Sequence, residues 1–501
     1  MTVKETYDHM MSLAAELADL ESAAALLGWD QETNMPEKGI EGRAHVSATM
    51  AGVRHEKLTH GELHDLLLEL KEVGGDMGPE NKAQVAALWR THDRASRVPG
   101  ELVKRMAKTR SEATAVWGQA RKNKDFDGFA PKLSEMMSLQ KEYADALGHD
   151  GTAYNALLEE YEPGAKLADI ERVLNEVKDF LIPFVKAIAD SGVEPDLKCV
   201  LGPYDTKKQG EFGAMVIKAM GFDLGGGRVD VSNHPFCSGI HGGDVRLTTR
   251  YKDDLRVGLL GTIHEAGHGL YEQGALAAHA RTPLADIQSL GIHESQSRMW
   301  ENNVGLSHGF WNHFFPKLQD MFPEHLASTD VNGFYAAMND VRPSLIRIEA
   351  DEVTYNLHIV LRFEIERDLL AGNIEVKDLP EVWNEKFRTY FGIVPPTPDV
   401  GVLQDIHWAA GYLGYFPTYT LGSLNAAQFY AAAGRALPDL EEQIARGDFI
   451  PLRDWLVENV HRWGSSFAPN ELMERATGKP TNAADLITYF KTKYGELYGL
   501  S

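Results

Sequence analysis

Two histidines and a glutamate stand together in "TIHEAGHGL" (Thr262–Leu270): His264, Glu265 and His268. On a helix, residues four apart share one face with about 6 Å between them, so His264 and His268 can each turn an imidazole nitrogen to one cation. Glu265 is rotated about 100° from His264, off the ion but within reach of a water bound to it. The H-E-x-x-H pattern therefore points to hydrolysis, with two imidazole ligands to zinc and a general base that takes the proton of the metal-bound water. The surroundings agree. Asp253 or Asp254 can start a helix, the leucines of "DDLRVGLLGTI" give it a buried face, and Ala266, Gly267 and Gly269 leave the metal side open.

The third ligand separates classes of zinc peptidase. An H-x-x-G-x-x-H continuation would need Gly at 271 and His at 274, where the chain has Tyr271 and Gly274. A glutamate from a second helix remains, and "SLGIHESQSRMWENNVG" (Ser289–Gly305) offers Glu294, 26 residues after His268. Glu301, two turns further on the same face, is placed to accept the outer N–H of a liganding histidine. His293 competes as the ligand but points about 100° away from Glu294.

Helices must carry these groups, and most of the chain reads as helix. Apolar residues recur at three- and four-residue steps over Tyr7–Leu27, Asn81–His92, Phe129–Leu147, Ala168–Ala189 and Leu486–Tyr498, the last with Thr481 or Asn482 as N-cap. Gly225–Tyr251 differs, with β-branched alternation in "RVDVS" and "DVRLTTRY". It predicts two or three short strands in a small antiparallel sheet just before the histidine helix, with an edge on which an extended peptide can pair. "GGGR" lacks the G-K-[ST] ending of a phosphate-binding loop. "GIVPPTPDVG" (Gly392–Gly401) reads as an ordered loop, and with no repeat or low-complexity linker residues 1–501 form a single domain.

Composition narrows the function further. Of 501 residues, 43% are hydrophobic and 25% charged, a globular profile with ample core. Asp and Glu outnumber Lys and Arg by 73 to 50, and the resulting charge of −23 argues against a nucleic-acid partner. The basic stretch Glu101–Arg110 reads as one solvated helix face. Two cysteines, Cys199 and Cys237, make no disulfide framework. The N-terminus has no apolar signal region, and no run approaches the ~20 residues that cross a bilayer. A soluble, cytoplasmic protein with no membrane partner is expected.

With these residues in place, the chain resembles the carboxypeptidase Taq family of zinc metallocarboxypeptidases. Beside H-E-x-x-H, the family's signatures stand here as "HPF" (His234–Phe236), "DVRLT" (Asp244–Thr248), "HESQ" (His293–Gln296), "IRIEADEVTY" (Ile346–Tyr355) and "GVLQDIHW" (Gly401–Trp408). The resemblance implies a mainly α, elongated two-lobed fold with a deep active-site cleft, shared with the neurolysin-like oligopeptidases. It implies zinc, with cobalt able to substitute, and cytoplasmic homodimers that remove single residues from peptide C-termini with broad specificity. His264, His268 and Glu294 would hold the metal.

A carboxypeptidase must also recognise a free α-carboxylate, for which the planar fork of arginine is suited. The family's I-R-x-x-A-D signature points to Arg347, expected on a helix, as the anchor. Arg246, on the expected strand, either shares that task or pairs with Asp244 or Glu349. The oxyanion of peptide hydrolysis wants a further donor. Gln404–Gly422 concentrates His407, Tyr412, Tyr415 and Tyr419 in a Gly-rich, loop-like stretch, where Gly411 and Gly414 would give a flexible approach to substrate. His407 and Tyr415 are the expected catalytic donors, Tyr419 stands in reserve against the substrate, and His234 could line the cleft. An endo-acting oligopeptidase would use the same zinc chemistry without the arginine anchor. A non-catalytic zinc scaffold would have no use for Glu265.

Overall fold

The computed structural model describes residues 2–73 and 77–500. Among these it has 21 α-helices and one three-stranded sheet, so the fold is mainly α. Each periodic segment of the sequence lies on a helix: Val3–Thr33, Pro79–Arg97, Phe126–Leu147, Leu167–Asp190 and Ala484–Leu497. Tyr498 is the C-cap of the last rather than a member of it. Ala483 takes the N-cap position there, and Asn482 acts from one residue earlier by accepting the Ala484 N–H at 3.0 Å.

The sheet is mixed, not antiparallel as expected. Strands β1 (Gly227–Val231), β2 (Cys237–His241) and β3 (Asp244–Thr249) lie in the order β1-β3-β2. The tight turn at Gly242 and Gly243 makes β2 and β3 an antiparallel hairpin. The segment 232–236 carries the chain across, so that β1 flanks the other side of β3 in parallel. Alternation in the sequence reports pleat, not which neighbour a strand chooses, so this order was not readable. The first helix covers part of the β2 edge, where the Ser22 hydroxyl donates to the Ile240 carbonyl at 2.8 Å.

The histidine helix, Leu255–His279, follows β3 directly, and the side chain of its N-cap Asp254 accepts the Arg256 N–H. Leu259, Ile263 and Leu270 are 3% exposed or less and turn into a core with Val245 and Leu247 of β3 and Trp300 and Trp311 beyond. Each aliphatic side chain so buried contributes about 1.5–3 kcal/mol. A second large core gathers Val173, Leu181, Leu357, Leu361, Trp383 and Phe387. The helix Pro417–Ala436 belongs to both: Leu421, Leu424 and Ala427 face one core, Ala426, Phe429 and Ala433 the other. A smaller third core joins the first helix to Leu63–Leu70 and Val85–Leu88.

Among the described residues no helix is long and apolar enough to cross a membrane. Cys199 and Cys237 are free thiols.

Candidate active site

Two helices converge between the two large cores. His264 and His268 project from one face of Leu255–His279, their rings 4.9 Å apart and nearly perpendicular. Glu294 comes from the helix Leu290–Arg298, its Oε2 3.7 Å from His264 Nε2 and 3.5 Å from His268 Nε2. One atom from each of the three lies within 4.8 Å of the others. The two helices meet backbone to backbone because residue 267 is glycine. A Cβ there would stand 2.6 Å from the Gln296 carbonyl and 2.7 Å from Ser297 Cα.

The carboxylates around the histidines are themselves held. Arg298 donates to Glu294 Oε1 at 2.8 Å and to Glu301 Oε2 at 3.4 Å, and stacks over the Tyr355 ring at 4.2 Å. Glu301 accepts from His264 Nδ1 at 2.7 Å. It does so from a π-helical turn, Met299–Gly305, rather than from a continued α-helix. Such a turn shifts the register of the following side chains and recurs at functional sites. His293 is not aimed at the metal position: its Nδ1 faces His268 Nδ1 at 2.5 Å, on the side of the ring opposite Nε2. His293 thus faces away from the point on which His264, His268 and Glu294 converge.

Electrostatics favour a cation here. Burial alone would lower the His264 pKa, yet Glu294 and Glu301 push it up to about 9. Burial works to raise the Glu294 carboxyl, but Arg298 and His264 outweigh it and hold the group well below the usual carboxylate range. Burial lowers His268 to about 3, with His293 adding to the effect, which leaves a neutral imidazole of the kind a metal takes. Glu265 is 6% exposed, and its Oε2 is buried with no hydrogen-bond partner. Burial pushes it up to about 7, against the pull of His264. A neutral imidazole, a second imidazole set between two carboxylates, an ionised carboxylate and an orphaned carboxylate oxygen beside them fit a divalent metal with open coordination.

Across from these helices stands a second group. Arg347 is 5% exposed and lies in a 3₁₀ turn, Arg347–Glu349, not on an α-helix. Its Nε and Nη2 donate to Asp405 Oδ1 at 3.1 and 2.8 Å, and its Nη1 donates to the Tyr355 hydroxyl at 3.2 Å. Fully buried Arg362 donates to Asp405 Oδ2 at 2.7 Å. The Arg347 guanidinium lies over the Tyr419 ring at 5.1 Å. Tyr419 OH and His407 Nε2 are 3.5 Å apart, and the Tyr415 ring stands 5.3 Å from Tyr419 and 5.5 Å from His407. Burial lowers His407 to about 3, and burial with the nearby Glu294 raises Tyr415 to about 12. His407 is therefore neutral and Tyr415 protonated across the physiological range.

The stretch 401–416 is a run of turns, but helix begins at Pro417, so Tyr419 sits on a helix rather than in a loop. Gly411 and Gly414 are buried with φ of 76° and 84°, and the Gly414 N–H donates to buried Glu366 at 3.1 Å. They fix a packed turn instead of a flexible approach. Tyr412 is exposed, with Arg110 over its ring. Arg246 is engaged with Asp244, through two bonds of 2.8 Å, and with the face of Trp29 at 4.1 Å. Glu349 pairs with Lys252 instead. His234 is exposed and contacts the Pro235 carbonyl. Asp405, Arg362 and Tyr355 were not singled out from sequence; Asp405 and Tyr355 lie inside quoted signatures, but nothing in their spacing places them beside Arg347.

A family model for carboxypeptidase Taq (M32) metallopeptidases matches residues 9–494. Thermostable carboxypeptidase 1 of Thermus thermophilus is 42% identical, with all of both chains covered. Carboxypeptidase 1 of Bacillus subtilis is 36% identical over 99% of this chain and 98% of its own. The crystal structure of an M32 carboxypeptidase from Deinococcus radiodurans superposes with a TM-score of 0.97 at 39% identity, covering 99% of this chain and 100% of that one. A carboxypeptidase structure from Pyrococcus furiosus gives 0.94 at 38% identity, over 98% and 99% of the two chains.

Proposed function

The chain belongs to the carboxypeptidase Taq family and is a metallocarboxypeptidase, and from that premise we propose how its residues divide the work. His264, His268 and Glu294 hold a zinc ion, which cobalt can replace, since a His₂Glu set suits both. When bound, the ion lowers the pKa of water and polarises the scissile carbonyl. The observation that carries the reading is the orphaned Oε2 of Glu265 beside three converging donor atoms.

Glu265 takes the proton of the attacking water and delivers it to the leaving amine; a pKa raised by burial to about 7 suits both halves of that transfer. Arg347 receives the terminal carboxylate through its Nη1 edge, shared with the Tyr355 hydroxyl, while Asp405 keeps the fork in plane. Tyr415, Tyr419 and His407 face the reacting carbonyl as neutral donors and stabilise negative charge as it develops. Arg246 serves the sheet through Asp244 and Trp29.

The substrates are peptides with a free C-terminus, shortened one residue at a time with broad specificity. The chain works as one catalytic domain of two lobes, as a cytoplasmic homodimer, and its −23 charge speaks against nucleic-acid or anionic membrane partners. The test is mass spectrometry of a short peptide and its C-terminally amidated twin after digestion by zinc-loaded enzyme. Stepwise loss of single residues from the free acid alone is expected. Internal cuts in both peptides would remove the arginine-anchor reading.

A further inference from the structure

His264 is steadied by a carboxylate in direct contact, Glu301. Among the described residues no carboxylate lies against the outer nitrogen of His268; His293 does. His268 Nδ1 lies 2.5 Å from His293 Nδ1 and 3.1 Å from the His293 carbonyl, and His293 Nε2 lies 2.9 Å from Glu272 Oε1. Proton bookkeeping fixes the direction of this chain. For His268 to offer its Nε2 lone pair, its proton must sit on Nδ1. That proton points at His293 Nδ1, which must then be a bare acceptor, so His293 carries its own proton on Nε2 and donates it to Glu272.

We propose that His293 and Glu272 are positioning residues that fix the tautomer and ring orientation of His268, doing in two steps what Glu301 does for His264 in one. The proposal rests on the reading of His268 as a metal ligand. Its geometry is enforced from three sides. Glu272 is on the same helix as His268, one turn later. His293 immediately precedes Glu294, so the relay ties the two metal-bearing helices together. β2 presses on Glu272 from outside: a Cβ on Gly239 would stand 2.3 Å from Glu272 Oε2 and 2.6 Å from its Cδ. The bare backbone there leaves the carboxylate room for its place against His293, and a methyl group would displace it. The His293 and Glu272 side chains are 17% and 16% exposed, so water competes weakly for the pair.

The test is zinc affinity, measured by competition with a chromophoric chelator, for full-length Glu272→Ala, Glu272→Gln, His293→Ala and Gly239→Ala, with His268→Ala as control. Outer partners of metal-bound histidines are typically worth about 10–100-fold in affinity. Glu272→Ala, His293→Ala and Gly239→Ala should weaken zinc within that range while circular dichroism stays that of the parent. Glu272→Gln keeps an acceptor without the charge and should fall between the parent and Glu272→Ala. The visible absorption of the cobalt-loaded Glu272→Ala protein should shift, reporting a turned imidazole. Parental affinity and an unchanged cobalt spectrum in Glu272→Ala and Glu272→Gln would overturn the relay, whether or not His293→Ala folds. If His268→Ala also bound zinc like the parent, the ligand assignment itself would fail; loss in that control alone would sink only the relay.

Discussion

Asp405 Oδ1 accepts both the Nε and the Nη2 of Arg347, at 3.1 and 2.8 Å, while its other oxygen serves Arg362. One buried carboxylate thus bonds two buried guanidiniums, leaves the group a net positive charge, and sets the plane of the first. Removing the two ends of this link should have different effects. Arg347→Ala leaves Asp405 still paired with Arg362, so the fold tolerates it. Losing the charge-assisted bond from the Nη1 edge to substrate, at about 1.5–3 kcal/mol, should cut kcat/KM on free-acid peptides by roughly 10–150-fold. Amidated or internal substrates should be little affected. Asp405→Ala strands two cations and should lower stability by about 3–5 kcal/mol. Urea unfolding of the two variants separates the cases, and equal destabilisation would contradict the hub role of Asp405.

Glu265→Gln preserves shape and burial but cannot accept a proton. Its turnover should drop by roughly 10²–10⁴, the usual range for a positioned base. Metal content, measured by elemental analysis, should stay that of the parent. Parental kcat would remove Glu265 from the reaction.

Tyr415→Phe and Tyr419→Phe each delete one hydroxyl from the cluster of rings around His407. If that hydroxyl bonds the developing oxyanion, kcat should fall by about 10²–10³ with KM nearly unchanged. Only the tyrosine nearer the reacting carbonyl should show the full loss, and steady-state kinetics on a single dipeptide series decides which it is. A rise in KM alone would instead mark a residue that grips substrate.

Chelation should abolish turnover, and added zinc or cobalt should restore it while magnesium does not, because two imidazoles and one carboxylate suit borderline metals better than a hard oxygen-seeking one. Activity after exhaustive dialysis against chelator, with metal shown to be absent, would contradict the proposed site.

Gly267→Ala drives a methyl group into the backbone of the neighbouring helix. The helices must part by several tenths of an ångström, at about 1–3 kcal/mol by analogy with overpacked cores. Glu294 then moves relative to the histidines. Thermal melting should show the destabilisation and zinc titration the weakened site; an unchanged zinc affinity would mean that the helix separation does not set the ligand geometry.

His264, Glu265, His268 and Glu294 were legible because their arrangement is local: helical spacing puts two imidazoles on one face, and a second periodic segment supplies the carboxylate. Glu301 was legible for the same reason, although the π turn that delivers it was not, since nothing in "MWENNVG" signals a widened helix. The family signatures led to Arg347 and His407, yet not to their dependence on Asp405, Arg362 and Tyr355. Those contacts join residues 347, 355, 362 and 405 across folded distance, and no periodicity encodes them. The relay through His293 shows the same limit from another side. Sequence placed His293 near the metal and weighed it as a ligand, whereas the orientation of its helix turns it to the outer edge of His268.

The helix Pro417–Ala436 lends one face to each large core and carries Tyr419 on its first turn. Neither half can therefore melt alone and leave the other intact: fraying on one side withdraws packing from the opposite side through a shared rod. Hydrogen exchange should find both halves opening with one free energy, and catalysis should vanish at that same threshold. Turnover is then a gauge of structural integrity, because a copy that has lost its packing has lost its cutting with it.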